Sequence, residues 1–514
     1  MQQESRVKKS LLNARVNLIF YFITLALSFF SRKIFLDCLG ADFVGLSGTL
    51  GNILGFLSLA EMGVGAAVSY NLYKPLQRGD KSQIEELISV FGYLYRKIGT
   101  IVALGGIAIS AFIPLIFKNT SFDYGLIYFA FFAILSSSLF SYFINYRQII
   151  LSADQRGYVV TAYIQGAAYI KILLQMAIAY YWSSYYLWIA LEVIFGLVAC
   201  IILNWKIAHT YPWLHANAKK GKEAFPRHKN IITYTKQIFV HKIKDFLLFQ
   251  SDQILVFAFV SLKMVAYYGN YTLITSKLTQ LFSTFLNSFW ASVGNLVAEG
   301  DKEKIVRVFW EIHSIHYLIG GFVVFSSYHL IEPFITLWLG KEYILGQTIL
   351  VLLMINTFIL LTRGAVDMFN GGHGQFADTW SAWAEGITNI GVTLICAPMW
   401  GIAGILTGKI ISLIFFVVLW KPYYLFHSAL HIPIWNYWGE TLKYLVIFGG
   451  CFYLGHLSYL HIPIDDYSSI GNWFIKGALA ALSFAIMQFC AMYGLSKGTR
   501  DLVHRVMLKT NIHK

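Results

Sequence analysis

Charge is what this sequence has least of. Asp, Glu, Lys and Arg make up 13% of its 514 residues, about half of the ~25% usual in a soluble globular chain. So little polar side chain cannot coat the several soluble domains that the length alone would permit. Hydrophobic residues supply 57% of the chain and aromatics 17%, which excludes low-hydrophobicity disorder and collagen-like repeats as well. Cysteine is also scarce. Cys38, Cys200, Cys396, Cys451 and Cys490 are odd in number, lie far apart and form no C-x-x-C or Cys/His spacing. They read as small membrane hydrophobes, with no disulfide framework, zinc site or redox pair. Acidic residues are short too, with 26 against 40 Lys and Arg and a formal charge of +14. On a soluble chain that excess would point to nucleic acid. In a chain of mean hydropathy +0.59 it is expected to mark cytoplasmic loops instead, and no nucleic-acid partner is expected.

What is present is a series of long apolar runs. The first, Val16 to Leu36, follows the basic stretch MQQESRVKKSLLNAR with no A-x-A-like cleavage site. It is of spanning length and reads as a retained transmembrane helix. Further spans are predicted near 44–72, 98–117, 124–150, 158–181, 185–204, 238–260, 265–297, 313–339, 345–369, 379–398, 401–420, 437–458 and 470–493. The fold class is therefore an all-α polytopic membrane protein of about fourteen transmembrane helices. Alternate loops are rich in Lys and Arg, among them Lys74, Arg78 and Lys81, then Lys219, Lys220 and Lys222, then Arg500, Arg505 and Lys509. The opposite loops hold little beyond Lys118, Lys263 and Lys341. The asymmetry places both termini in the cytoplasm. The aromatic cluster Tyr180–Trp188 falls where an external interfacial belt is expected.

A repeat organises these spans. RGDKSQIEELISVF (78–91) recurs in altered form as EGDKEKIVRVFWEI (299–312), at an offset of 221 residues that holds without a gap over neighbouring positions. Ile84, Leu87, Ile88 and Phe91 form an i, i+3, i+4, i+7 stripe, matched by Ile305, Val308, Phe309 and Ile312. Ser82 and Glu85 read as a capping box, so each copy predicts an interfacial helix between its second and third spans. Six spans separate the copies, so they share one orientation, an arrangement found in transporters. The predicted organisation is a six-helix bundle at 1–204, a basic linker at 205–230, a second six-helix bundle at 231–425, and an extra helix pair with a cytoplasmic tail at 426–514.

Charges inside spans are costly and usually face a cavity or a partner. Arg32 and Lys33 lie near the external end of the first span, Lys171 and Lys277 near the centres of the fifth and eighth, and Lys409 in the twelfth. Arg147 and Arg363 lie nearer the cytoplasmic mouth. Together they suggest a cationic cavity for an anionic head group; the competing reading is ion pairing between helices or snorkelling. Lys277, Gln280, Thr284 and Asn287 form one polar stripe. The seventh span carries His241, Asp245 and Asp252, of which Asp245 and Asp252 are candidates for a counter-ion or ion-coupling role. Glu192 and Glu385 are mid-span acids, Glu61 reads as a local cap or pair, and His313 with His316 is not expected to form a metal site. Gly404-x-x-x-Gly408 is a small-residue packing signal.

The stretches GADFVGLSGTLGNILGFLSLAEMGVGAAVSYNLYKPLQRGDKSQI (40–84), SDQILVFAFVSLKMVAYYGNY (251–271), EPFITLWLGKEY (332–343) and GIAGILTGKIIS (401–412) resemble the bacterial polysaccharide-export flippases. These O-antigen and lipid-linked oligosaccharide flippases belong to the multidrug/oligosaccharidyl-lipid/polysaccharide flippase superfamily, and the resemblance covers roughly residues 10–425. It implies twelve core helices around a central cationic cavity, often with two further C-terminal helices. The implied activity is non-enzymatic movement of a polyprenyl-diphosphate-linked glycan across the bacterial inner membrane, with H+ or Na+ as a coupling ion and no other cofactor. Polysaccharide assembly machinery would be a natural partner. An ion-coupled exporter of drugs or other small molecules with the same fold stays open. So does a membrane-embedded glycan polymerase or ligase, for which Asp465-Asp466 is the one conspicuous external acidic pair.

Overall fold

A computed structural model describes residues 6–57, 64–118, 120–154, 156–228, 231–232, 235, 251–286, 289–375 and 378–512. Every regular element among them is helical. Nine helices among the described residues are long and apolar enough to cross a membrane. Their outward faces carry side chains such as Leu18, Phe30, Ile170 and Ile486 in the open, as lipid-facing helices require. The chain is a multi-pass, all-helical membrane protein. It forms two compact units, Met1–Ala266 and Tyr267–Lys514.

The first unit begins with α1 (Arg6–Leu39), α2 (Ala41–Leu57), α3 (Val64–Arg78) and α4 (Lys81–Ser110). It continues with α5 (Tyr124–Phe143), α6 (Gly157–Trp182), α7 (Tyr185–Thr210) and the short linker helix α8 (Ala218–Ala224), and closes with α9 (Ser251–Phe259). The helix α10 (Leu262–Leu286) leads into the second unit, followed by α11 (Trp290–Glu299), α12 (Lys302–Trp338), α13 (Gln347–Thr362) and α14 (Gly364–Gly372). Then come α15 (Thr379–Trp400), α16 (Ile402–Leu413), α17 (Ile434–His461), α18 (Ile470–Leu495) and α19 (Lys497–Ile512).

The repeat is visible in backbone geometry. Gly79 and Gly300 both take a left-handed φ, +69° and +77°, ending α3 and α11 where a side chain would be strained. The next residue caps the following helix in both copies. Asp80 Oδ1 accepts from the Gln83 N–H at 2.9 Å, and Asp301 Oδ1 accepts from the Lys304 N–H at 3.1 Å. Each such cap is worth about 1 kcal/mol. The cap is thus Asp80 rather than the expected Ser82; Ser82 and Glu85 already lie inside the first turns. The stripe residues also differ from expectation, because they do not form separate interfacial helices. Ile84 to Phe91 and Ile305 to Ile312 are continuous with the following spans in α4 and α12. Arg96 and Lys97 interrupt the hydropathy of α4 but not its helix, and the Lys97 ammonium sits 4.8 Å above the Tyr93 ring. At 1.5 Å per residue, α4 and α12 run to about 45 and 55 Å, longer than the ~30 Å hydrocarbon layer. Each therefore tilts or extends beyond that layer, and the N-terminal turns, with Lys81, Glu85 and Glu86 on α4 and Lys302, Glu303 and Lys304 on α12, are the charged ends.

Within the expected spans near 44–72 and 265–297, the described helices are α2 and α3, and α10 and α11. Glu61 lies outside the described residues, as does the segment 236–250 that carries His241 and Asp245.

Candidate translocation site

In the first unit, α1 lies along α6 through Thr24 Oγ1 to Tyr169 OH at 2.8 Å and Tyr169 OH to the Phe20 carbonyl at 2.7 Å. Lys171, two residues along α6, forms an ion pair with Glu192 of α7, Nζ to Oε2 at 2.6 Å. Gln175, one helical turn further on, donates to the other Glu192 oxygen at 2.9 Å and to the Trp188 carbonyl at 3.0 Å. The Ser137 hydroxyl of α5 donates to the Glu192 carbonyl at 3.2 Å. Three helices thus converge on Glu192, and the Lys171 charge is neutralised within its own unit.

Arg32 is half-buried near the end of α1, and its Nη2 donates to the Ala266 carbonyl at 2.9 Å. Lys33 is exposed and pairs with Asp37 one turn on, at 3.2 Å. Asn52 of α2 donates to Gln253 Oε1 of α9 at 2.7 Å, and the neighbouring Asp252 is buried. Arg147 does not stand free: its Nη2 and the Tyr146 hydroxyl both donate to the Ala216 carbonyl at 3.1 Å. Together they anchor the segment leading into α8. That segment is also held by Tyr211, whose hydroxyl donates to Asp154 Oδ2 at 2.8 Å, while Arg156 pairs with the same carboxylate oxygen at 2.9 Å. Burial first, and the Asp154 carboxylate second, push the Tyr211 phenol well above its ordinary value.

In the second unit, Lys277 is half-buried on α10, while Gln280 and Thr284 on the same stripe are exposed. The fourth member, Asn287, lies outside the described residues. Arg363, at the junction of α13 and α14, pairs with Asp367 of α14 at 2.6 Å. Glu385 and Lys409 are both buried in the α15–α16 hairpin. That hairpin closes as the small-residue motif requires: a Cβ at Gly404 would lie 2.3 Å from the Cys396 carbonyl, and one at Gly408 would lie 2.3 Å from the Thr393 hydroxyl. The approach buries a polar seam of Glu385, Asn389 and Thr393 on α15 and Lys409 with Ser412 on α16.

Two arrangements escaped sequence reasoning. His329 Nε2 and His456 Nδ1 lie 2.9 Å apart, joining α12 to α17. Buried Asp466 pairs with Lys476 at 2.9 Å and accepts from the Tyr459 hydroxyl, closing the loop between α17 and α18. Asp466 was visible only as half of an acidic doublet; its partners come from both flanking helices. No group of three or more potential metal ligands occurs among the described residues.

No family model matches the chain. No curated protein matches it either. Solved structures do. The lipid II flippase MurJ in an inward closed conformation is similar over 94% of this chain and 99% of its own, with TM-score 0.63 at 14% identity. An inward-facing multidrug resistance MATE family transporter of the MOP superfamily is similar over 81% of this chain and 99% of its own, with TM-score 0.58 at 15% identity. Both are a transporter or a flippase rather than an enzyme. The chain has the fold shared by the lipid II flippase and the multidrug exporters of the multidrug/oligosaccharidyl-lipid/polysaccharide flippase superfamily.

Proposed function

We propose that this protein flips a polyprenyl-diphosphate-linked oligosaccharide from the cytoplasmic to the periplasmic leaflet of a bacterial inner membrane, by alternating access and without covalent chemistry. The observation that carries the reading is the extent of the fold match. The lipid II flippase fold covers 94% of the chain, against 81% for the exporter fold. Intramembrane cations supply the chemistry. A diphosphate leaving water needs charge-assisted donors to replace its hydration, which Lys and Arg provide. We assign that role first to Arg32 on α1 and to Lys277 on α10, each half-buried in its own unit. Lys171 acts through Glu192 and Arg147 through the linker, so both are positioning residues in this scheme. Lys33, Arg363 and Lys409 stand as secondary contacts. Buried Asp252, with Asp245, is assigned to coupling by H+ or Na+; a gradient drives the cycle where ion binding differs between the two access states. Both termini lie in the cytoplasm, as the Lys and Arg distribution favours.

The exporter-like match supports a second reading, an ion-coupled exporter of small molecules. Reconstitution separates the two. Purified protein in proteoliposomes is expected to accelerate transbilayer movement of a fluorescent lipid-linked oligosaccharide. Transport of a cationic dye with no movement of the glycan lipid would overturn the flippase reading.

A further inference from the structure

The charged N-terminal turns of α4 and α12 are each covered by a short basic helix, and the two helices use the same place on the repeat. In the first unit the cover is α8. A Cβ at Gly221 would lie 1.9 Å from the Ser89 carbonyl oxygen. In the second unit the cover is α19, and a Cβ at Gly498 would lie 2.5 Å from the Trp310 carbonyl oxygen. Ser89 and Trp310 are separated by the repeat offset of 221 residues, so the two glycines rest on equivalent backbone. A lysine precedes each glycine, Lys220 and Lys497. Beside each contact opens a cavity with charged side chains in its lining, about 510 Å³ in the first unit and about 780 Å³ in the second. Lys81 lines the first and its repeat mate Lys302 the second.

The covering helices are not themselves copies of one another at that offset. Position 221 shifted by the offset falls at Leu442, inside α17, whereas the glycine on Trp310 is supplied by the tail after α18. Two unrelated segments therefore meet one docking surface with one solution, a glycine on a bare carbonyl. The charge anchors match in kind and differ by one helical turn. Arg227 and His228 pair with Glu86 on α4 at 3.2 and 2.8 Å. Arg505 pairs with buried Glu311 on α12. Glu311 corresponds to Val90, four residues beyond Glu86. The start of each helix is also tied down. The Asn217 N–H donates to Ser89 Oγ at 3.0 Å, and Ser496 Oγ bonds Tyr444 OH at 2.9 Å while accepting from the Thr499 N–H at 3.2 Å.

We propose that α19 is a latch, the counterpart on the second unit of the linker helix on the first, and that transport requires it docked. The physical reason is rigidity. An alternating-access transporter moves bodies that must not deform, and α12 is longer than the layer that confines it, so its charged N-terminal turns need a separate brace. The extra helix pair α17–α18 then has a structural purpose: it returns the chain to the point where that brace can dock. This inference rests on the transport reading but not on the identity of the cargo.

The test uses the full chain with Gly498→Val, with Arg505→Gln as a milder second variant, and with Gly494→Ala as control. A Cβ at Gly494 meets nothing within 4 Å. Amide hydrogen exchange at residues 497–505 and around Trp310 is expected to speed up about tenfold in Gly498→Val and less in Arg505→Gln. Transport should fall in the same order, measured on whichever substrate the wild-type protein moves. The control should match wild type in both. Unchanged exchange in both variants overturns the docking claim, and faster exchange with wild-type transport overturns the latch. If transport of a cationic dye follows that order while the glycan lipid is never moved, the latch stands and the flippase assignment falls.

Discussion

The ion pair between Lys171 and Glu192 offers the sharpest test of how intramembrane charge is used here. The two side chains are 19% and 30% exposed, between the fully buried and solvated cases. Breaking a buried pair costs about 3–5 kcal/mol, whereas an exposed pair contributes at most about 1 kcal/mol. Lys171→Met should therefore cost about 2 kcal/mol, because Glu192 keeps only the Gln175 donor. That is roughly a 30-fold change in the folded ratio. Glu192→Leu should cost about 3 kcal/mol, since it strands the Lys171 ammonium and removes one of the two acceptors of Gln175. Replacing both, Lys171→Met with Glu192→Leu, leaves no unpaired charge, and apolar groups of similar volume can take its place in the helix interface. The double variant should return to within about 1 kcal/mol of wild type. Heat challenge of detergent-solubilised protein, followed by size-exclusion recovery, ranks the four forms, and proteoliposome transport is measured beside it. A double variant no more stable than the worse single one refutes the pairing argument. A stable double variant that does not transport would instead move Lys171 into direct contact with substrate.

Arg32→Ala and Lys277→Ala should each lower glycan-lipid movement severalfold with normal yield of folded protein; wild-type rates in both would remove them from the phosphate-binding role. Gly408→Leu should sharply reduce folded yield because its side chain would overlap the Thr393 hydroxyl and backbone, while Gly391→Ala, with open space around it, should be tolerated or stabilising by about 0.5–1 kcal/mol. Equal recovery of those two proteins by fluorescence-detected chromatography would contradict the tight α15–α16 contact. Because Tyr211 is held protonated in the folded chain beyond its ordinary value, the unfolded chain releases that proton first as pH rises past about 10. Stability should then fall on the alkaline side. Tyr211→Phe should lose the Asp154 bond at neutral pH yet show a shallower alkaline decline, and an unchanged slope would rule out Tyr211 as its source.

The sequence by itself determined the properties that are local. Apolar runs of about 20 residues report a membrane span whatever surrounds them, so the polytopic class was legible from composition and hydropathy. The repeat was legible for the same reason, since a Gly-Asp-Lys turn followed by a helical stripe repeats its own backbone chemistry at Gly79-Asp80 and Gly300-Asp301. The small-residue motif at Gly404 and Gly408 likewise carried its packing in its spacing. Tertiary structure alone decided what each charge does. Lys171 looks in sequence like a lone cation near a span centre, yet it meets Glu192 across an antiparallel helix pair. Arg147 holds a linker carbonyl, and Arg505 reaches Glu311 from a tail far along the chain. The continuity of α4 through Arg96 and Lys97 was hidden as well, because hydropathy registers a charge but not the helix that runs on through it. A charged side chain announces its desolvation cost in the sequence; the partner that offsets it is fixed only when distant helices are brought within a few ångströms.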